Sequence, residues 1–115
     1  MTDSKLYSLA YLQDVSGGNE EFIKQMISLF LEITPPQIQE LKEGIDTIDF
    51  EGIGKVAHGM KPSIIQMKIK SGESLIKKIE TESEQANDIE ALSQYILELE
   101  NTLEKVFIQL ENELK

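Results

Sequence analysis

The chain has 115 residues, 40% of them apolar, a formal charge of -10 and no cysteine. That length fits one domain, residues 1–115, with a core of its own, and the missing thiols exclude disulfides, zinc–thiolate sites and cysteine nucleophiles. An acidic surface repels nucleic acid and anionic membranes, and no apolar run approaches the roughly 18 residues of a membrane span.

Met1-Thr2-Asp3-Ser4-Lys5 lacks the basic-then-apolar opening of a signal peptide. Together with the absent cysteines this leads us to expect a cytoplasmic protein. The Met1 start and the tidy ends read as a freestanding chain, expected to be a monomer.

The apolar spacing is helical throughout, with no strict alternation to suggest a strand. Leu6, Leu9 and Leu12 predict a short first helix. Ser16-Gly17-Gly18-Asn19 then reads as a break and an N-cap, with Glu20 and Glu21 in the first turn of a second helix. Phe22, Ile23, Met26, Ile27, Phe30 and Ile33 form its apolar face. Thr34-Pro35-Pro36 interrupts that face; a kinked continuous helix and two separate helices, the second capped by Thr34 with Pro35 at its first position, fit the pattern equally well. Ile38, Leu41, Ile45 and Ile48 follow, and Gly44 to Thr47 is expected to begin a turn.

Asp49 is expected to cap a helix from about Phe50 to Lys70, ended by Ser71-Gly72. Leu75, Ile76 and Ile79 mark a shorter helix that closes before Asn87. Asn87 or Asp88 caps the last, where Leu92, Ile96, Leu99, Leu103, Val106, Leu110 and Leu114 hold a spacing of three and four. The fold class is therefore all-α: an up-down antiparallel four-helix bundle with a short N-terminal helix across one end.

The helix after Asp49 carries the only histidine. On a wheel, Ile53, Val56, Ala57, Met60, Ile64 and Met67 share the core arc, and His58 falls about 150° away, facing solvent. Its neighbours at i-4, i+1 and i+4 are Gly54, Gly59 and Pro62. Each internal glycine costs about 1 kcal/mol relative to alanine, and the proline removes the amide that would bond the His58 carbonyl. Lys61, one turn on, can reach a group attached to the imidazole and offset the charge of an N-linked phosphoryl group. Ile65 and Ile69 continue the outward stripe as a docking patch.

Each feature has a plain reading of its own. A lone exposed histidine is usually just surface. The glycines can relieve crowding against the first helix, which can also cover the isoleucines. Lys61 can be a solvated lysine and Pro62 a tolerated kink. The functional reading is preferred because all of them surround one side chain.

Ala57-His58-Gly59-Met60-Lys61-Pro62-Ser63 resembles the A-H-x-x-K-G-S signature of histidine-containing phosphotransfer (HPt) domains of two-component phosphorelays. Asp49, nine residues before the histidine, and Gly17-Gly18-Asn19-Glu20-Glu21-Phe22 are also similar to the family's pattern. Pro62 replaces its usual glycine, Gly59 is uncommon, and Lys68 stands where the family favours glycine. Gln66 lies where the family often has a polar amide.

The resemblance implies that His58 takes a phosphoryl group from a receiver-domain aspartyl phosphate, on Nε2, and passes it to another receiver. Lys61 and Gln66 would stabilise the phosphate; Gly54, Gly59, Pro62, Ile65 and Ile69 would give access and docking. It implies response-regulator receivers and a hybrid histidine kinase as partners. The chain is then a carrier and not a classical enzyme, with no metal or cofactor of its own and magnesium on the receiver. No acid, base or triad is assembled near His58 from this chain, and Glu51, about two turns away on the same outer stripe, is too far to be a direct partner. The alternatives are a degenerate HPt-like or other helical adaptor that binds without phosphotransfer, and a different histidine-phosphorylated carrier.

Overall fold

A computed structural model describes residues 4–115; the reading of Met1 to Asp3 lies outside the described residues. Five helices follow in order: α1 Ala10–Ser16, α2 Glu20–Thr47, α3 Phe50–Gln66, α4 Lys70–Gln85 and α5 Ile89–Glu113. α2 packs on α3 and α5, and α4 packs on α3 and α5, so the four long helices close a ring; α1 leans on α2. The turns are too short for anything but antiparallel neighbours.

The expected caps form. Asn19, Asp49 and Asp88 accept from the backbone N–H of Phe22, Gly52 and Ala91 at 3.0, 2.9 and 3.0 Å. They satisfy amides that have no carbonyl partner in a first turn. The predicted stripes supply the core: Ile53, Ala57, Met60 and Ile64 of α3 and Leu92, Leu99, Leu103, Val106 and Leu110 of α5 are fully buried. Phe30 meets Phe107 edge to face with ring centroids 5.9 Å apart, joining α2 to α5.

Several boundaries differ from the expectation. α2 runs unbroken through Pro35 and Pro36, so the two-helix alternative is wrong. Thr34 is buried within it rather than capping a new start. The helix also passes through Gly44, where no turn begins. A Cβ at Gly44 would run into Ile53, so this glycine lets α2 and α3 approach. Ile33, expected in the core, is 46% exposed. α1 starts at Ala10, leaving Leu6 and Leu9 in a segment that crosses the end of the bundle.

That segment is held by Ser8 N–H to the Met67 carbonyl at 2.9 Å and by Leu6 N–H to the Gln109 side chain at 3.0 Å. Tyr7 is buried there. Burial first, then the charge and hydrogen-bonding of Glu113, push its phenol up to about 12.

The largest correction concerns α3, which ends at Gln66 and not near Lys70. Met67, Lys68 and Ile69 make the turn, and Ser71-Gly72 lies inside α4. Lys68 adopts φ 52, left-handed backbone that glycine takes without steric cost. This is the position where the resemblance favours glycine.

Ile48 caps α2 with φ 53 while 60% exposed. A β-branched residue is strained there. Lys68→Gly and Ile48→Gly are each expected to raise the unfolding free energy by ~1 kcal/mol, read from urea denaturation midpoints at unchanged slope.

Candidate functional site

His58 stands on the outer face of α3 with its side chain 79% exposed. It is not alone. Glu80, from the neighbouring α4, places Oε2 3.2 Å from His58 Nδ1. The other oxygen, Oε1, accepts from Lys61 Nζ, also at 3.2 Å. One carboxylate thus bridges the imidazole and the lysine. Nε2 has no partner among the described residues. Partial burial pushes the Glu80 carboxyl up, but hydrogen bonds from His58 and Lys61 and the charges of the same two outweigh this. They hold it below the usual carboxylate range.

α4 carries Glu80 into place because α3 and α4 pack tightly. A Cβ on Gly54 would sit 2.8 Å from the Ser83 hydroxyl oxygen, and that hydroxyl donates to the Glu80 carbonyl at 2.8 Å. Gly54 therefore lets the two helices approach one turn below the histidine. Gly59 is different: a Cβ there meets nothing within 4 Å. No packing reason for that glycine exists in the fold. Pro62 is exposed beside the ring.

The remaining predicted residues divide. Ile65 is 44% exposed on the same outer side. Ile69 is not a docking residue. It is fully buried, because α3 ends at Gln66 and the left-handed turn at Lys68 redirects it inward. Gln66 is not brought to the ring either. It stands about 12 Å along the helix from His58 and lines an apolar hollow with Leu12, Met26, Phe30 and Thr34. A phosphoryl group on His58 is out of its reach. The expectation that no acidic group accompanies His58 is corrected by Glu80.

Tyr11, Val15 and Leu29, which the sequence pattern does not single out, are exposed, as is Ile33, expected on the core face. Leu29 and Ile33 of α2 rim the hollow that Ser63 and Gln66 close from α3.

Around His58 the charged groups are Glu51, Lys55 and Lys61 from α3 and Glu80 and Glu84 from α4. Lys55 pairs with Glu51 at 3.4 Å, both well exposed. No group of three metal-ligating side chains occurs among the described residues. No helix among them is long and apolar enough to cross a membrane. The arrangement can hold a proton on Nδ1 and present Nε2 as a nucleophile.

The fold is that of histidine phosphotransfer domains. A structure search finds the HPT domain of a sensor hybrid histidine kinase from Shewanella, with a TM-score of 0.80 over 95% of this chain and 93% of that one, at 16% identity. No family model matches the chain, and no curated protein does.

Gly59→Ala is expected to stabilise the protein by up to ~1 kcal/mol, since nothing obstructs the methyl group. Gly54→Leu is expected to destabilise it by ~1–3 kcal/mol as α3 is forced off α4. Thermal melts of the two variants check both signs.

Glu80 makes an acid-side prediction. A carboxyl held below its usual value of 4.5 contributes stability that is present above that value and lost as the pH falls through the lower, folded-state one. Between about pH 6 and pH 3 the wild type should therefore lose more unfolding free energy than Glu80→Gln.

Proposed function

We propose that this chain is a phosphorelay carrier. His58 Nε2 accepts a phosphoryl group from the aspartyl phosphate of one receiver domain and yields it to the aspartate of another. The observation that carries this reading is the ring itself: largely exposed, tied at Nδ1 to Glu80 and without a partner at Nε2. An imidazole held that way has its lone pair on the free nitrogen. The fold shared with the HPT domain of a sensor hybrid histidine kinase supports the same reading.

In-line transfer needs positioning and charge neutralisation more than covalent help. Lys61 supplies a cation one turn from the ring, and the magnesium ion belongs to the receiver. The receiver docks over His58 where Gly59 and Pro62 leave room, with Ile65 and the α2 side chains Leu29 and Ile33 as apolar contacts. A hybrid histidine kinase upstream and a cytoplasmic setting follow from that partnership.

The test is incubation with a receiver domain carrying labelled phosphate. The wild type is expected to take up label that is acid-labile and alkali-stable. His58→Gln should take up none while its melting stays within about 0.5 kcal/mol of wild type, as for a surface substitution. A well-folded wild type that binds the receiver and never labels would identify an adaptor instead. Label passing only from a sugar-transport phosphocarrier would identify a different relay.

A further inference from the structure

The only histidine sits in a basic stretch of an acidic chain. Residues 52–78 hold six of the eleven lysines and, in Glu73, one of the 21 acidic residues, a formal charge of +5. The other 88 residues hold five lysines and 20 acids, a charge of -15. We infer that Lys70, Lys77 and Lys78 on the outside of α4, with Lys68 at the turn before it, form a docking strip that draws the acidic face of a receiver domain onto His58. This rests on the carrier reading above and names the side from which the partner arrives.

The fold gathers these lysines on one surface. Lys70, Lys77 and Lys78 stand at i, i+7 and i+8 on α4, all exposed, and line one open hollow with Glu73 and Ser74. Lys68 and Lys70 line the next hollow, over the α3–α4 turn. None of the four is in an ion pair among the described residues, whereas Lys55 and Lys61 of the same stretch are each held by a glutamate. Lys61 and Lys77 each stand eight positions from Ile69, on opposite arms of the hairpin. The strip therefore begins beside the lysine that serves the histidine. It runs about 10 Å along α4 from Lys77 to Lys70.

Helix stability does not account for this placement. The macrodipole favours acids in the first turn of a helix and cations in the last. Apart from Glu73, α4 has the reverse: Lys70 opens it, Glu80, Glu82 and Glu84 lie toward its C-terminal end, and its last turn holds no basic residue.

A receiver is the partner that the strip fits. Magnesium is held by carboxylates and phosphate oxygens, so the face that a receiver turns to the imidazole is acidic. The chain as a whole repels such a face. The strip favours its approach at one place, past His58 toward the α3–α4 turn, where Ile65 is also exposed. On the other side of the histidine Glu51 and Glu84 stand in its way. A long polyanion would meet the acidic remainder of the surface as well, while a receiver covers one face. Opposed charges of this kind raise association rates about tenfold to a thousandfold, and salt screens them.

The test measures the second-order rate at which His58 is loaded from a receiver domain carrying labelled phosphate. It compares about 0.1 M salt, where the Debye length is about 10 Å, with about 1 M, where it is about 3 Å. The triple variant Lys70→Glu, Lys77→Glu and Lys78→Glu is expected to load about tenfold or more slowly than wild type at the lower salt. The two rates should converge at the higher salt. A control triple, Lys24→Glu, Lys105→Glu and Lys115→Glu, changes the net charge equally at exposed positions on α2 and at the end of α5. It should load within about twofold of wild type, since its charges lie beyond the screening distance. The triple Lys70→Gln, Lys77→Gln and Lys78→Gln removes charge without reversing it and should fall in between, which keeps the test open even if the glutamates disturb α4. A strip triple that loads as fast as wild type at the lower salt, or a control triple slowed as much as the strip triple, would overturn the strip and leave the carrier reading intact. Phosphoramidate, a small N-phosphoryl donor, needs no docking. A folded wild type that neither phosphoramidate nor the phosphorylated receiver can load would overturn the carrier reading, and this inference with it.

Discussion

The contact between α3 and α4 where Gly54 faces Ser83 governs the rest of the site. A Cβ at Gly54 would fall 2.8 Å from the serine hydroxyl and 3.5 Å from its Cβ, so a larger side chain there would displace the serine and then the helix that carries it. With the helices that close, Glu80 reaches across to His58 and Lys61 from one position. A carboxylate with two hydrogen-bonded cationic or polar partners loses little by partial burial. The same pairing orients a ring that would otherwise rotate freely in solvent. Packing, ion pairing and nucleophile orientation thus share one cause, and it is a missing side chain.

Much of the bundle was legible because its signals are periodic. The stripe from Leu92 to Leu110 and the arc from Ile53 to Ile64 both lie in the core. Asn19, Asp49 and Asp88 cap as their type and position dictate. The outward position of His58 came from the same wheel. Helix ends were less legible. Two prolines in succession suggest a break, but α2 holds its course through both. Lys68 hides a left-handed turn that a glycine would have announced.

That hidden turn accounts for the principal miss. His58 and Glu80 each stand eleven positions from Ile69, on opposite arms of the α3–α4 hairpin. Antiparallel helices bring together residues equally far from their turn. With the turn placed at Ser71-Gly72 the register slips, and Glu80 falls away from the histidine. The same slip sent Ile69 outward. The exposed apolar residues of α2 were missed for another reason: a wheel cannot tell a core stripe from its uncovered margin, as at Ile33.

The segment that crosses the end of the bundle has a consequence for tethering. The Gln109 side chain donates to the Ser4 carbonyl at 3.0 Å, and Lys5 pairs with Glu113 at 3.4 Å. The beginning of the described chain therefore lies beside the end of α5. His58 is nine residues up α3 from Met67, which holds the same segment, or about 14 Å along the axis. A flexible linker of about six or seven residues has a root-mean-square reach of that order. A receiver fused at either end of this chain would meet the histidine at high effective concentration, and both fusions would bring it from the same end of the bundle.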